Sequence, residues 1–517
     1  MINKKTVLIL LVSFNLFAQK DKQINWYNST KGLKTEKAYK FLKQKNKKGE
    51  EVIVAVIDSG IDIKHEDLQG KIWVNTKEIP DNKIDDDANG YIDDVNGWNF
   101  LGNYKGENQE YARYEKVRIY SELRDKYERF EKNQISESQE FNFYNQLKKE
   151  INTERSEYEN YKSQTKQLLQ AINFIPNYVS FKLNNANYTI NDLKKWNITE
   201  EDEIQIKNIA ISILTGELSE EILKEQQKQI EDELNYHLNP DYDDRKLIGD
   251  KIDDFNDISY GNKNVEGPDA LHGTHVAGII GAIRGNQLGG DGVADNVKIM
   301  TLRAVPNGDE HDKDIALAIR YAVDNGAKII NMSFGKSYSS FQKEVYKAMA
   351  YADSLDVLLV HAAGNDHKNI DIESNFPAVN YEFQTKSLNL LITVGASTEN
   401  NRGLLAADFS NYGKKSVDIF APGQDIFNTI PDNKYKKLDG TSMAAPMVSG
   451  VAALIKSYYP NLSMKKIKEI IIKSGKDFGK TKQKIPGDSN KVDFLEFSKS
   501  GKIVDLYKSV KMCESEY

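Results

Sequence analysis

Short runs of apolar, mostly β-branched residues recur along the chain, separated by segments in which apolar positions follow a helical period. The first run, residues 51–57, is followed directly by Asp58. The later runs predict strands at 298–300, 328–333, 357–360 and 391–394. The amphipathic segments predict helices at 314–323 and 462–474. Apolar runs without alternating polar residues are typical of strands buried on both faces, so we predict an α/β fold with a doubly wound, mostly parallel sheet.

The pattern changes over residues 104–248, where Glu, Lys, Gln, Asn and Tyr become frequent. Apolar and aromatic residues recur there at helical spacing from Tyr114 to Phe130, and a second helix-like run extends from Ser219 to Leu238. Pro176 is predicted to break the stretch between these runs. We predict a large, mainly helical insertion. The alternative is a solvated, partly disordered segment without a specific role.

The N-terminus has the features of a secretory signal. Two lysines precede an apolar stretch, Val7 to Phe17, that is too short to span a bilayer, and Ala18 offers a small residue for cleavage. An uncleaved membrane anchor is the alternative. A transmembrane anchor is not expected elsewhere, so we predict a secreted or periplasmic protein. The predicted domains are the signal peptide at 1–18, an α/β domain in two parts at 19–103 and 249–517, and the insertion at 104–248.

Residues 439–450 combine a glycine, a serine and a small-residue helix. Gly440 allows close approach of the backbone, and Ser442 lies where the helix is predicted to begin. A hydroxyl at that position is exposed beside unpaired backbone N–H groups, which suits a nucleophile with a nearby oxyanion site. The alternative is a serine that only caps a buried helix.

Two further motifs favour the nucleophile. Asp58 ends the first predicted strand, where parallel sheets place their functional sites, and His272 begins a second small-residue helix. The chain order Asp, His, Ser is that of the subtilisin-like serine proteases, and the chain resembles this family in all three motifs. The resemblance does not cover residues 104–248, which far exceed the few tens of residues that usually separate the acid and the histidine.

The resemblance implies a catalytic triad. A serine hydroxyl needs a base within hydrogen-bond reach, and His272 would take the proton of Ser442 and return it to the leaving amine. Asp58 would accept the other imidazole N–H and fix the tautomer. His275 stands four residues after His272, but Gly and Thr lie between them instead of the Glu of a zinc motif. We therefore expect a structural role for His275.

The resemblance also implies residues that contact the substrate. Asn365, after the strand at 357–360, would donate its side-chain N–H to the oxyanion, and Asn375 would lie near the base of the pocket for the substrate side chain. A peptide substrate would pair with the chain by strand addition. The residues that would pair with it are Ser333, Phe334 and Gly335. The family further implies a cis peptide bond before Pro377.

An acidic loop precedes the insertion. It resembles the start of a calcium-binding loop, with carboxylate and amide oxygens at alternate positions and a glycine for the turn. The predicted ligands are Asp85, Asp87, Asn89, Tyr91 through its carbonyl, and Asp93. Position 12 is Asn96 instead of a bidentate glutamate, so the match is incomplete, and the alternative is an acidic surface turn. The family resemblance implies a second Ca²⁺ site that includes Asp67 and Asn286.

Composition agrees with an extracellular enzyme. Mixed acidic and basic residues give a net charge of −7, which excludes a nucleic-acid-binding face. The single cysteine, Cys513, cannot form an intramolecular disulfide. We predict a secreted serine endopeptidase that acts on protein or peptide substrates and carries structural Ca²⁺. The alternative is a non-hydrolytic peptide-binding scaffold. The insertion is expected to act as a lid over the cleft or to bind a partner.

Overall fold

The structure, a computed structural model, describes residues 24–128, 138–384, 386–399 and 404–516. The predicted signal peptide at 1–18 lies outside these ranges. Contacts within the chain divide the described residues into two units. The smaller unit comprises residues 117–242, and the larger one comprises 22–116 and 243–517. The smaller unit lies within the predicted insertion at 104–248, whose two ends belong to the larger unit.

Strands and helices alternate along the larger unit, whereas the described elements of the smaller unit are helical. The strands are β1 (Val52–Asp58), β2 (Gly97–Asn99), β3 (Val297–Arg303), β4 (Ile329–Met332), β5 (Leu358–Ala362), β6 (Leu391–Ser397), β7 (Ile419–Pro422), β8 (Ile426–Ile430), β9 (Lys434–Leu438), β10 (Lys476–Asp477), β11 (Lys482–Lys484), β12 (Lys491–Asp493) and β13 (Lys502–Ile503). The helices are α1 (Thr35–Gln44), α2 (Glu115–Tyr127), α3 (Gln139–Leu183), α4 (Ile190–Lys195), α5 (Glu201–Thr215), α6 (Glu220–Asp232), α7 (Leu271–Gly281), α8 (Asp312–Asp324), α9 (Gln342–Ser354), α10 (Thr441–Tyr458), α11 (Met464–Ser474) and α12 (Leu506–Glu516).

Nine of the described strands form one sheet, in the order β10-β13-β7-β6-β5-β4-β1-β3-β2. Among these strands β10 is antiparallel to its neighbour, and the other pairs are parallel. After β1 the chain builds β2 and β3 on one side of it and β4 on the other, so the strand order reverses beside β1. Open parallel sheets place functional sites at the carboxyl ends of strands at such a reversal. The predicted α/β fold class is confirmed.

Strand β1 shows why the apolar runs lack polar alternation. Val54 and Val56 pack on one face of the sheet into the core formed with α1, α7, α10, α11 and α12. Ala55 and Ile57 pack on the other face, against α8 and α9. Because helices cover both faces, both sets of alternating side chains must be apolar.

The smaller unit differs from the sequence prediction at Pro176. This residue was predicted to break the helical stretch, but α3 continues through it from Gln139 to Leu183. Proline removes one backbone donor and crowds the preceding turn, so the helix needs tertiary support there. Ile175 and Val179 supply it, because both are buried in an apolar cluster with residues of α4 and α5. The prediction of a break was wrong because burial outweighed the local cost of the proline.

The two ends of the predicted insertion meet within the larger unit. The backbone N–H of Arg113 donates to one carboxylate oxygen of Asp244 at 3.0 Å, and its guanidinium donates to the other at 2.9 Å. The next residue, Arg245, is ion-paired with Asp250 and Asp314 at 2.7 Å each. Residues 117–242 therefore leave and rejoin the larger unit at points that lie close together.

The C-terminal helix α12 completes one face of the larger unit. Its Cys513 is fully buried in the same core as α1 and α11, and burial raises the pKa of its thiol to about 12. Within the described ranges, we find no helix with the length and apolar character needed to cross a membrane.

Candidate active site

Asp58 occupies the carboxyl end of β1, beside the reversal of strand order. Its side chain is almost fully buried, with 2% of its surface exposed. One carboxylate oxygen, Oδ1, accepts the N–H of Ser59 at 2.8 Å and lies 2.6 Å from Nδ1 of His272. A buried carboxylate needs such charge-assisted partners because burial removes its hydration. The sequence-predicted acid and histidine are therefore brought together.

His272 reaches Asp58 because α7 begins unusually close to the loop that follows β1. A Cβ atom on Gly273 would lie only 2.1 Å from the carbonyl oxygen of Gly60, so this contact requires a glycine. One residue further on, the Thr274 hydroxyl accepts the N–H of Asp62 at 2.8 Å. These contacts fix the first turn of α7 against the loop and hold the imidazole beside the carboxylate.

Two opposing effects act on the His272 imidazole. Burial lowers its pKa, because a charged ring is disfavoured away from water, but the neighbouring Asp58 carboxylate outweighs that effect and the pKa is raised above the usual value. The imidazole side chain keeps 36% of its surface exposed, so it remains accessible to solvent. Because Nδ1 faces Asp58, Nε2 is the nitrogen left to exchange a proton with a reactant.

Ser442 is the second residue of α10, and the structure places it directly beside the segment that follows β4. Its hydroxyl donates to the carbonyl oxygen of Ser333 at 3.0 Å, and the Ser333 hydroxyl donates to the carbonyl of Ser442 at 3.0 Å. Asn331 donates to the Ser333 hydroxyl and accepts from Ser449, about two turns further along α10. The predicted nucleophile and the predicted substrate strand are thus held in mutual register.

Asn365 has a fixed amide orientation. Its Oδ1 accepts the backbone N–H of Thr441 at 2.8 Å and the Thr441 hydroxyl at 2.9 Å. A backbone N–H can only donate, so the atom that faces it must be the oxygen. The Nδ2 group is therefore left beside Gly440, 3.7 Å from where a Cβ on that glycine would lie, next to the N–H of Ser442. Two donors converge here, as an oxyanion site requires.

Asn375 lies between two backbone segments next to this site. Its Nδ2 donates to the Ala363 carbonyl at 3.2 Å. Its Oδ1 lies 3.0 Å from where a Cβ on Gly335 would be, and 3.7 Å from the equivalent point on Gly364. The amide therefore occupies the space between the strand at Gly335 and the loop at Gly364. The next peptide bond, Phe376–Pro377, is cis, as the family resemblance implied.

His275 faces away from this cluster. It is fully buried, and its Nε2 lies 3.0 Å from the Ile426 carbonyl and 3.1 Å from the Lys436 carbonyl. A ring nitrogen between two carbonyl oxygens must donate, so it cannot also bind a metal. Burial lowers the pKa of this imidazole to about 4, so the ring is neutral at neutral pH. These contacts give His275 the structural role expected from the sequence.

The acidic loop forms a carboxylate cluster that only partly coincides with the predicted ligand set. Oxygens of Glu78, Asp85 and Asp87 all lie within 4.8 Å of one another. Glu78 was not predicted, because it precedes the motif that revealed the loop. Asn89 accepts the N–H of Tyr91 through Oδ1, so this predicted ligand oxygen already has a hydrogen-bond partner within the loop. Asp93 accepts N–H groups of the same loop and contacts Lys263 at 3.1 Å, and so is already neutralised by a cation.

The second predicted metal pair is also brought together. Asn286 donates to Oδ1 of Asp67 at 2.6 Å. The other carboxylate oxygen, Oδ2, is buried, and the Tyr435 hydroxyl lies close enough to lower the pKa of this carboxyl. Burial raises the pKa of Asp67, with the Asn286 hydrogen bond opposing that shift. A buried carboxylate needs such compensating groups, and a bound cation would be a further one.

Sequence reasoning missed Arg303, at the end of β3. This guanidinium is fully buried and donates to the carbonyl of Ser59 at 2.9 Å and to Oδ1 of Asn99 at 2.9 Å. It therefore fixes the residue that follows Asp58. Burial lowers its pKa to about 10. In the sequence, the indication of such a role for Arg303 was a charged residue at the end of a mostly apolar strand.

Comparison with known sequences decides the family. A sequence model of the subtilase family, peptidase S8, matches residues 49–492. The chain belongs to the subtilase family. The family resemblance that the three motifs suggested is thereby confirmed.

Relatives of this subtilase cover only part of it. A thermophilic serine proteinase of Bacillus sp. strain AK1 is 39% identical over 222 residues, which are 43% of this chain and 49% of that protein. A thermostable alkaline protease of Halalkalibacterium halodurans is 37% identical over 39% of this chain and 51% of that protein. The chain thus spans about half the length of these relatives. A solved chain of the subtilase cytotoxin SubAB is 26% identical, with a TM-score of 0.40 over 48% of this chain and 78% of that chain.

For the catalytic role that the sequence predicts for His272, its raised pKa predicts the acid limb of the pH profile. A general base must be neutral, so a raised pKa means that activity falls already at a pH above the ordinary value of 6.5. Asp58→Asn removes the charge that raises the pKa while burial still lowers it. We expect this variant to shift the acid limb of kcat/KM to lower pH and to lower kcat by about 10⁴-fold.

The matched control is Asp269→Asn, because Asp269 contributes less to the raised pKa of His272 than Asp58 does. We expect Asp269→Asn to move the midpoint of the acid limb by less than Asp58→Asn does. We also expect it to leave kcat close to the parent value. An acid limb that stays in place in Asp58→Asn would show that His272 is not the titrating base.

Proposed function

We propose that this subtilase is a serine endopeptidase, and that Asp58, His272 and Ser442 are its catalytic triad. The observation that carries the proposal is the 2.6 Å contact between Nδ1 of His272 and Asp58, in an imidazole that is still partly exposed. It leaves Nε2 as a base for a hydroxyl. The position of Ser442 beside two oxyanion donors supports the nucleophile role.

The chemistry follows from these positions. His272 Nε2 removes the hydroxyl proton of Ser442 as the oxygen attacks the peptide carbonyl carbon. The resulting oxyanion accepts hydrogen bonds from Asn365 Nδ2 and the Ser442 N–H. The imidazolium then protonates the leaving amine, and the C–N bond breaks to give an acyl-enzyme. Water, deprotonated by His272, attacks the ester, and the proton returns to the serine oxygen as the acid product leaves.

The resting hydroxyl of Ser442 donates to the Ser333 carbonyl and must rotate towards His272 before it reacts. That carbonyl belongs to the segment proposed to pair with the substrate backbone. A backbone N–H of the bound peptide can donate to the same carbonyl and so replace the hydroxyl. Substrate binding would therefore release the nucleophile to its base.

The pocket for the substrate side chain is proposed to be narrow. Asn375 stands between the two segments that would flank that side chain, and its amide offers polar atoms to the pocket. We propose a preference for small or polar side chains next to the cleaved bond. The substrates are proposed to be extracellular peptides or proteins. The predicted signal peptide supports secretion, and one relative is named a cell wall-associated protease, from Bacillus subtilis.

Replacing the nucleophile tests the proposal. Ser442→Ala should lower kcat by about 10⁶-fold, because the triad acts as a unit, and should leave the melting temperature nearly unchanged. A fluorophosphonate probe should label the parent and not the variant. Hydrolysis that persists in Ser442→Ala would contradict the mechanism. A parent that neither takes the label nor cleaves peptides would indicate a non-hydrolytic peptide-binding scaffold.

We further propose that structural Ca²⁺ binds the acidic loop through Glu78, Asp85 and Asp87. The three carboxylates converge, and their mutual repulsion favours a divalent cation. Burial raises the pKa of Glu78, which shows the cost of ionising this group without a cation. Asp67 and Asn286 are proposed to contribute to a second Ca²⁺ site.

Calcium removal should lower thermal stability. A ligand that binds only the folded state stabilises it by about 2.7 kcal/mol when its concentration is 100 times Kd. We expect chelation to lower the melting temperature of the parent, and Glu78→Gln or Asp87→Asn to reduce that response. Asp81→Asn is the control, because Asp81 is an exposed acid of the same loop that pairs with Lys263. A melting temperature unaffected by chelator would exclude the calcium site.

The insertion is proposed to restrict large substrates, as a lid would. The chain order supports this, since the insertion interrupts the chain between two proposed triad residues, Asp58 and His272. The other role considered for it, binding of a partner, makes a different prediction for a deletion variant.

Deletion of residues 117–242, closed by a short Gly/Ser linker, separates the two roles. The contact between Arg113 and Asp244 keeps the cut ends close, so closing the gap should cost little. Circular dichroism and fluorophosphonate labelling check the fold. As a lid, the insertion slows entry of large substrates, so its removal should raise the rate on a folded protein relative to a small peptide. An unchanged ratio would exclude the lid and favour partner binding.

A further inference from the structure

A pocket lies beside the segment that we propose to pair with the substrate. Its lining includes Phe334, Lys336, Glu310, Asp312 and Ile315. The cis Phe376–Pro377 segment also lines it. Such a pocket, one residue past the pairing segment, is where a substrate side chain would be expected to enter. In this chain the pocket already has an occupant.

Lys336 fills the pocket with its own side chain. The ammonium group is buried, with 2% of the side chain exposed. It lies 2.9 Å from a carboxylate oxygen of Asp312 and 2.7 Å from the Glu310 carbonyl. The side chain therefore reaches from the end of the pairing segment to residues 310–312.

Glu115, the first residue of α2, completes the charge cluster. Its carboxylate lies 3.1 Å from the Lys336 ammonium and accepts the N–H of Ser340 at 3.0 Å. Its own N–H donates to Asp309 at 2.7 Å. Glu115 is thus bonded both to the 336–340 segment and to Asp309, just before the chain enters the smaller unit at residue 117.

The backbone of Lys336 is equally constrained. Its N–H donates to the Phe376 carbonyl at 3.1 Å, and its carbonyl accepts the Phe376 N–H at 2.8 Å. Asn375 precedes Phe376, so the end of the pairing segment is fixed to the segment that narrows the neighbouring pocket. A buried ion pair seldom adds net stability over apolar residues of the same volume. Its presence here calls for a different role.

The acyl half of the substrate extends towards this cluster. His272 must protonate the leaving amine, so the amine half lies on the side of His272. The acyl carbonyl points at Asn365, and the acyl half therefore runs along Ser333 to Gly335. If the first acyl-side residue pairs opposite Ser333, the third lies opposite Gly335 and the fourth opposite Lys336.

We propose that Glu115 and Lys336 are specificity-determining residues that close the acyl side of the substrate groove. The Lys336 side chain, held in place by Glu115, fills the pocket that a fourth residue would use, so recognition is confined to three acyl-side residues. The insertion contributes to specificity through this first residue of α2. This inference rests on the proposed peptidase function. It specifies that the same site recognises the three acyl-side residues of the substrate.

Peptides of increasing length test the closed groove. Fluorogenic substrates carry three acyl-side residues, or four with alanine or phenylalanine in fourth position. For the parent, we expect kcat/KM to change by less than about threefold across the set, because no apolar pocket remains to be filled. A gain of about tenfold or more for the phenylalanine peptide would overturn the proposal.

Two double variants provide a matched pair. Glu115→Ala with Lys336→Gly opens the pocket, whereas Glu115→Gln with Lys336→Met removes the charges and keeps the volume. We expect the opened variant to gain about tenfold or more for the phenylalanine peptide over the three-residue peptide, and the filled variant to keep the parent ratio. Loss of packing would not produce such a selective gain. An opened variant that folds, as judged by fluorophosphonate labelling, but keeps the parent ratio would overturn the proposal.

The parent measurement also separates this inference from the function on which it rests. Cleavage of the peptide with three acyl-side residues establishes the peptidase function. The ratio of kcat/KM between the longer and the three-residue peptides then tests whether the groove is closed. If the parent cleaves none of the peptides and takes no label, the peptidase function fails and the inference fails with it. If the opened variant does not fold, the parent ratio alone decides.

Discussion

A buried carboxylate at the end of the central strand is the constraint on which the site depends. Asp58 has lost its hydration, so its charge must be met by nearby donors. The Ser59 N–H and the His272 imidazole supply them, and Arg303 holds Ser59 in place from the neighbouring strand. The close approach of α7 to the loop after β1 is a consequence, because the imidazole reaches the carboxylate only from a helix that begins beside Gly60.

The second half of the site is organised by hydroxyl and amide groups instead of charges. Ser333 and Ser442 exchange hydrogen bonds, and Asn331 and Ser449 extend the network about two turns along α10. Asn331, Ser333 and Ser442 each both donate and accept in this network, so a shift of the strand would break bonds on the helix. The proposed nucleophile and the proposed substrate-pairing segment are therefore held together, an arrangement that would keep a bound peptide at a fixed distance from the serine oxygen.

Local patterns were sufficient for the fold class and for the candidate triad. Strand β1 is buried on both faces, so its sequence is an apolar run that predicts a buried strand. Small residues around His272 and Ser442 indicated helices that pack closely. What could not be predicted depends on contacts between distant segments. Glu78 joins the acidic cluster from outside its motif, Lys336 meets Glu115 across more than two hundred positions, and α3 passes through Pro176 because tertiary packing supports it.

The single thiol of the chain has a consequence for work with the protein. Cys513 is fully buried, and its pKa of about 12 leaves almost no thiolate at neutral pH. In the folded state it cannot take part in disulfide exchange, even in an oxidising compartment. Once α12 detaches from the core, the thiol becomes exposed and reactive. Alkylation of Cys513 therefore reports opening of the C-terminal helix, without any engineered label, in a molecule that has no other cysteine to confuse the signal.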